Sequence, residues 1–272
     1  MIFYPNAKIN LGLRIAGRRP DGYHDLETVF YPVGWCDILE IVPAPGRSYR
    51  VRFTVSGLPL PGRRRDNLVV RAVELLRQRY ALPPLRIHLH KQIPAGAGLG
   101  GGSADAAITL QGVVALLQLP AGDDDLHRMA LTLGSDVPFF LLNRPALATG
   151  RGEELTPLPL SLEGYHLLIV FPAIPLNTGR MFRETRPQKH PLPPRRAVAL
   201  PPEQWKGKLV NDFEPTATTL APAIGTIVDT LYRAGAVYAS LSGSGSAVYG
   251  IFREAPPPLS WPEGYLIWSE EL

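Results

Sequence analysis

A single cysteine, Cys36, stands in a chain of 272 residues, so no internal disulfide can form and no Cys-rich zinc cage can be assembled. A reducing compartment is expected. Long apolar runs are lacking too. Nothing approaches the ~20 residues of a membrane-spanning helix, and the opening MIFYPNAKINLGLRIAGRRPDG has no basic segment leading into an apolar stretch. A cytoplasmic protein without a membrane partner is expected. A strong excess of one charge is also missing, since 28 Lys+Arg against 24 Asp+Glu leave only +4. The arginines are scattered, and a strip such as Arg63–Arg65 reads as a solvated turn. An RNA-binding module is therefore the weaker alternative, and an anionic small molecule is the expected partner. With 45% hydrophobic and 19% charged residues the chain is neither disordered nor fibrous, and its length allows one large or two modest domains.

What is present is a mixture of both periodicities. Ile9, Leu11, Leu13 and Ile15 alternate with Lys8, Asn10 and Arg14, which predicts a strand over 7–15 whose Lys8 and Asn10 share one wet face. GRRPDGYHD over 17–25 reads as an exposed loop carrying Tyr23 and His24, followed by strands over 27–34 and 38–42. A strand over 50–55, a helix over 67–80 and a half-polar strand over 85–90 come next, so the sheet is expected to be antiparallel or mixed. Apolar spacing predicts helices over 104–119 and 125–133 and a third starting at Ser135. Beyond Gly150, strands over 165–171, 236–241 and 247–252 surround a helix over 217–235, and the proline-rich stretch 186–202 reads as a surface loop.

The densest chemical signal is Pro94–Ser103, PAGAGLGGGS, opening directly into an apolar helix. Gly96, Gly98 and Gly101 match the spacing of a dinucleotide fingerprint, but the preceding strand is half polar and no acidic residue ends a strand about 20 positions on. No Lys-Ser/Thr pair follows as in a P-loop, and the catalytic-loop and metal-binding motifs of protein kinases are absent. Glycines that permit close backbone approach, before a helix whose first N–H groups and positive dipole end face the loop, suit a phosphate. A tightly packed turn is the plain alternative. Asp136, just ahead of Pro138, has two readings that the residue alone leaves open: a helix cap or a general base.

PAGAGLGGGSADAA at 94–107, AKINL at 7–11 and LSGSGSAVYG at 241–250, taken in order, resemble the three motifs of the GHMP kinase superfamily. GRRPDGYHDLETVF at 17–30, DNLVVRA at 66–72 and LGSDVPFF at 133–140 narrow the resemblance to its branch acting on a cytidine-diphosphate-linked methylerythritol in non-mevalonate isoprenoid synthesis. The resemblance implies an α+β protein with the two-domain GHMP kinase fold. Residues 1–150 would form a ribosomal-protein-S5-like N-terminal domain with the phosphate loop, and 151–272 a ferredoxin-like C-terminal domain. It further implies transfer of the γ-phosphoryl of ATP, with Mg2+, to the 2-hydroxyl of the methylerythritol. The alternative within the superfamily is a kinase of homoserine, mevalonate or a sugar.

By the same resemblance Asp136 is the catalytic base and Lys8 the active-site lysine, with Asn10 beside it on the substrate. Tyr23 would stack on the cytosine, His24 would bond its polar edge, and Phe182 would supply a second ring opposite Tyr23. Asn67, Leu68 and Lys91 are expected around the adenine; Pro94, Gly96, Gly98, Leu99, Gly100, Gly101, Gly102 and Ser103 around the phosphates. The 242–246 loop is expected to support the phosphate loop. No carboxylate of this chain matches the glutamate with which some superfamily members hold magnesium, so the metal ligands stay unassigned. Nor does the resemblance account for residues 253–272, where APPPL and a short tail replace a final amphipathic helix, so a shortened C-terminal domain is expected.

Overall fold

The structure, a computed structural model, describes residues 1–46 and 50–272. From the N-terminus run the strands β1 (Ile2–Phe3), β2 (Asn6–Arg18), β3 (His24–Cys36), β4 (Ile38–Pro43) and β5 (Val51–Gly57). Helix α1 (Leu68–Arg77), β6 (Leu85–Lys91) and helices α2 (Gly101–Leu117), α3 (Asp123–Leu133) and α4 (Val137–Leu142) follow. Next come β7 (Ala146–Thr149), β8 (Glu154–Pro157), β9 (His166–Phe171), α5 (Thr178–Glu184) and α6 (Pro194–Ala197). The chain closes with α7 (Glu214–Leu220), α8 (Pro222–Arg233), β10 (Tyr238–Leu241), β11 (Val248–Phe252) and β12 (Leu266–Glu271). Two compact units interleave along this order: Met1–Ala7, Gly34–Ala95 and Gly100–Asn143 in the first, and Lys8–Val33, Gly96–Leu99 and Arg144–Leu272 in the second.

In the first unit the sheet runs β1-β4-β6-β5, antiparallel except for the parallel pair β5/β6, the mixed sheet that the half-polar β6 implied. Leu85, Ile87 and Leu89 are buried on one face of β6 while Arg86, His88 and His90 line the other, as the period of two requires. Helix α1 buries Val69, Ala72, Val73 and Leu76 at helical spacing and packs on α2. Gly112 lets α2 approach the sheet, because a Cβ there would meet the ring of Phe3 at 2.8 Å.

The second unit holds a sheet of order β10-β11-β9-β12 and most of a second, β2-β3-β7-β8. Leu13 and Ile15 of β2 share a core with Leu168 and Val170 of β9, Phe213, Ile224, Ile227 and Leu231. The expected helix over 217–235 is two helices. Pro222 has no N–H to continue α7, so the chain breaks at Ala221 and restarts as α8. Nor is 186–202 wholly a surface loop, since Pro194, Ala197 and Val198 are buried around the short α6. The tail supplies a strand: β12 pairs antiparallel with β9 from Leu266↔Phe171 to Glu271↔His166.

Candidate active site

Strand β2 carries Lys8 and Asn10 two positions apart and so on one side, but that side is not wet: the residues are 3% and 2% exposed. The Lys8 ammonium donates to Asn10 Oδ1 at 2.5 Å and to the carbonyl of Gly98 at 3.2 Å, and lies 4.7 Å from the centroid of the Phe30 ring. Asn10 Nδ2 donates to Thr28 Oγ1 at 3.0 Å, and that hydroxyl donates to the carbonyl of Gly12. Every polar atom of the pair is thus directed, and the cost of burying them is offset by these bonds.

The glycine loop is held from behind by the β10–β11 turn. Ser242 Oγ accepts from Asn10 N–H at 3.3 Å and donates to the Gly98 carbonyl at 2.9 Å, while Ala247 N–H donates to the Ala97 carbonyl. Asn211, fully buried, fixes that turn by donating from Nδ2 to the carbonyls of Leu241 and Gly243 at 2.8 and 2.9 Å. The Tyr249 hydroxyl donates to the Asn10 carbonyl at 2.8 Å. Asn211 and Tyr249 escaped the sequence reading. Tyr249 lies inside the 241–250 motif, and the signal for Asn211 is a polar pair, Asn211-Asp212, directly after the apolar Leu209-Val210.

Gly98 has φ +81°, and a Cβ built on it would overlap the Ser242 carbonyl. Gly98→Ala is therefore expected to displace the loop from Lys8 as well as cost about 1–2 kcal/mol of backbone strain. Turnover should fall at least about tenfold, since small misplacements near reacting groups act steeply on rate. Steady-state kinetics beside circular dichroism would check this, and unchanged kcat would show that the close approach does not matter.

In the first unit Gly100, at φ +73°, caps α2, whose first turn of Gly101, Gly102 and Ser103 contains no acidic residue to compete with an anion. Asp136, half-buried, stands at the N-cap position of α4, where its side chain makes no capping bond. A cleft of about 380 Å³ is lined by Phe53, Val55, Ser56, Leu58, Arg64 and Asn67 among others. Asn67 also caps α1, accepting from Val69 N–H at 2.9 Å, so its Nδ2 is the part available to a ligand. Leu68 does not line this cleft.

Lys91, expected at the adenine, is placed otherwise. Its side chain is 1% exposed and its ammonium donates to Asp37 Oδ2 and, at 2.9 Å, to Asp105 Oδ2. Asp37 also accepts the N–H groups of Gln92 and Ile93, tying the end of β6 to the start of β4. Burial alone would lower the Lys91 pKa, yet the carboxylates of Asp105 and Asp37 outweigh it and hold the ammonium charged.

Burial pushes the Asp105 carboxyl up from 3.8 to about 7; Lys91 opposes the rise and Asp37 adds to it. A folded-state pKa above the unfolded one means that folding takes up a proton between these values. The contribution of Asp105 to stability is thus full below about pH 4 and lost as pH climbs through about 7. Urea midpoints at pH 5 and 7.5 should draw apart more in the parent chain than in Asp105→Asn, where the titration is gone. Equal spacing in both would show that Asp105 keeps an ordinary pKa.

The loop between β2 and β3 presents Tyr23 with 56% of its surface exposed. His24 stacks on Phe182, centroids 4.9 Å apart and planes at 16°, and Phe182 meets Phe213 edge-on at 4.9 Å. The ring facing Phe182 is thus His24 rather than Tyr23, because Phe182 sits on α5 wedged against the core at Phe213.

Residues 67–144 match the family described as GHMP kinases N terminal domain, and residues 197–258 match GHMP kinases C terminal. On this fold, with a glycine loop clasped by a buried lysine strand, the chain is a GHMP kinase. Among solved structures, the mevalonate kinase of Methanococcus jannaschii superposes with a TM-score of 0.67 over 99% of this chain and 97% of that one, at 16% identity, and so shares the fold. A 4-(cytidine 5'-diphospho)-2C-methyl-D-erythritol kinase superposes with a TM-score of 0.78 at 36% identity, over 92% of this chain and 90% of its own. Proteins of Porphyromonas gingivalis and Bacteroides thetaiotaomicron, each named 4-diphosphocytidyl-2-C-methyl-D-erythritol kinase, are 47% identical over 94% and 98% of this chain and 93% and 94% of theirs. The chain belongs to the 4-diphosphocytidyl-2-C-methyl-D-erythritol kinase family.

Proposed function

We propose that the chain transfers the γ-phosphoryl group of ATP to the 2-hydroxyl of 4-diphosphocytidyl-2-C-methyl-D-erythritol. One observation carries the reading: a buried ammonium, Lys8, fixed on the Gly98 carbonyl of a phosphate-type glycine loop in a chain 47% identical to kinases named for that substrate. Asp136 accepts the hydroxyl proton as the substrate oxygen bonds to phosphorus and the bond from phosphorus to the β-phosphate oxygen breaks, releasing ADP. The Lys8 ammonium stabilises charge on the transferring group, and Asn10 holds the sugar alcohol. Backbone N–H groups between Gly96 and Gly102 cradle the phosphates, with the Ser103 hydroxyl at their edge. The cleft lined by Asn67 takes the adenosine end.

Among the described residues no three His, Cys, Asp or Glu side chains converge as an ion cage. Ser103 would be the candidate protein ligand for magnesium accompanying ATP, and the ion would supply charge neutralisation there. No helix among the described residues is long and apolar enough to cross a membrane. A cytoplasmic site of action fits the lone cysteine.

The test is ADP release with ATP and magnesium, offering the cytidyl substrate, homoserine and mevalonate in parallel. Turnover with the cytidyl substrate alone is expected. Equal or better turnover with another alcohol would overturn the substrate assignment while leaving the GHMP class intact.

A further inference from the structure

We propose that Arg151 determines specificity for the cytidine end of the substrate, its guanidinium backing the Tyr23 ring and holding it as the platform on which the pyrimidine stacks. The inference rests on the reading of Tyr23 as the base-stacking residue.

Among the described residues Tyr23 is one of two strongly exposed aromatic residues, with Tyr4, and little packing holds its ring. Its backbone, by contrast, is fixed. Arg19 N–H donates to the Tyr23 carbonyl at 2.8 Å, Tyr23 N–H donates to Asp21 Oδ1 at 3.1 Å, and Arg19 clamps both Asp21 and Asp25. A fixed backbone with a loose ring leaves two side-chain torsions to be ordered when a base binds, at a cost in affinity.

Arg151 removes that freedom from one side. It lies in the turn joining β7 to β8, which Leu26 N–H holds beside the Tyr23 loop by donating to the Gly150 carbonyl at 2.6 Å. Glu153 grips Arg151 twice, accepting its backbone N–H at 2.6 Å and its Nε at 3.0 Å. So held, the guanidinium carbon stands 5.1 Å from the Tyr23 ring centroid, within cation–π range. One face of Tyr23 is thereby occupied by a planar cation and the other is left for a base. Phe182 already carries His24 on one face, so the open aromatic surface at this end of the unit is that of Tyr23. A substrate without a base gains nothing from such a platform, and a cytidyl substrate does.

Steady-state kinetics on the intact chain with Arg151→Gln, Arg151→Lys, Tyr23→Ala and the double variant Arg151→Gln/Tyr23→Ala test the proposal. Arg151→Gln is expected to raise KM for the cytidyl substrate about threefold to fivefold, as an exposed cation–π contact implies. It should leave kcat and the KM for ATP within about twofold, the signature of lost ground-state binding. Arg151→Lys, which keeps the cation, should recover most of the loss. Adding Arg151→Gln to Tyr23→Ala should raise KM no further, because the coupling partner is gone. A rise with Tyr23→Ala but none with Arg151→Gln overturns this inference alone. No rise with Tyr23→Ala overturns the stacking reading and the inference with it. Equal effects of Arg151→Gln in both backgrounds, or a fall in kcat together with melting temperature, would make Arg151 a support of the hairpin instead.

Discussion

Asp136→Asn is expected to lower kcat by about 10²- to 10⁴-fold, the range for removing a general base, with KM for both substrates changed far less. The amide keeps the size of the carboxylate and cannot take the hydroxyl proton. Asp136 occupies the N-cap position of α4 without a side-chain capping bond, and asparagine is itself a favoured residue there, so circular dichroism on the variant separates a lost base from a melted turn. Far-ultraviolet circular dichroism should be unchanged, and a pre-steady-state quench should place the loss in the chemical step. A variant retaining more than a tenth of parent kcat would return Asp136 to a structural role and reopen the search for the base.

The largest expected effect on stability belongs to a residue outside the chemistry. Lys91→Met should destabilise the fold by about 3–5 kcal/mol, because it leaves two buried carboxylates without their cation. Both are enclosed: Asp37 is 0% and Asp105 3% exposed. Asp37 would keep the Gln92 and Ile93 N–H groups, whereas Asp105 Oδ1 already has no hydrogen-bond partner and would lose its only ion pair. Much of the loss should return in the triple variant Lys91→Met/Asp37→Asn/Asp105→Asn, which buries no net charge. Urea unfolding of the series measures this. A loss below about 1 kcal/mol in Lys91→Met would mean that water reaches the cluster and screens it.

The triad also illustrates which parts of a site are readable along a chain. The alternation of β2, the amphipathic spacing of α1 and the glycine run opening into α2 are local, so their residues announced themselves with boundaries off by only a few positions. Asp37, Asp105 and Lys91 come together because β4 pairs with β6, Ile38 opposite His90, while α2 packs over that sheet. Nothing in the neighbourhood of Lys91 signals two carboxylates 54 and 14 positions away. The same holds for Asn211 and Tyr249, whose partners are carbonyls on other elements.

By itself the sequence determined most of the longer strands and helices, a sheet that is antiparallel or mixed, the glycine-rich turn ahead of α2 and, through its motifs, the kinase family to which the chain belongs. These follow from periodicity, from glycine's freedom of φ and from residue chemistry, all of which act within a few positions of the chain. Tertiary structure alone decided that the expected wet face of β2 is buried and hydrogen-bonded, and that the Lys91 side chain is enclosed with two carboxylates. It also decided that His24 lies on Phe182, that Arg151 backs Tyr23, and that the unexplained tail completes a sheet. Burial, ion pairing and strand addition depend on which distant segments meet, and that is set by the packing of whole elements.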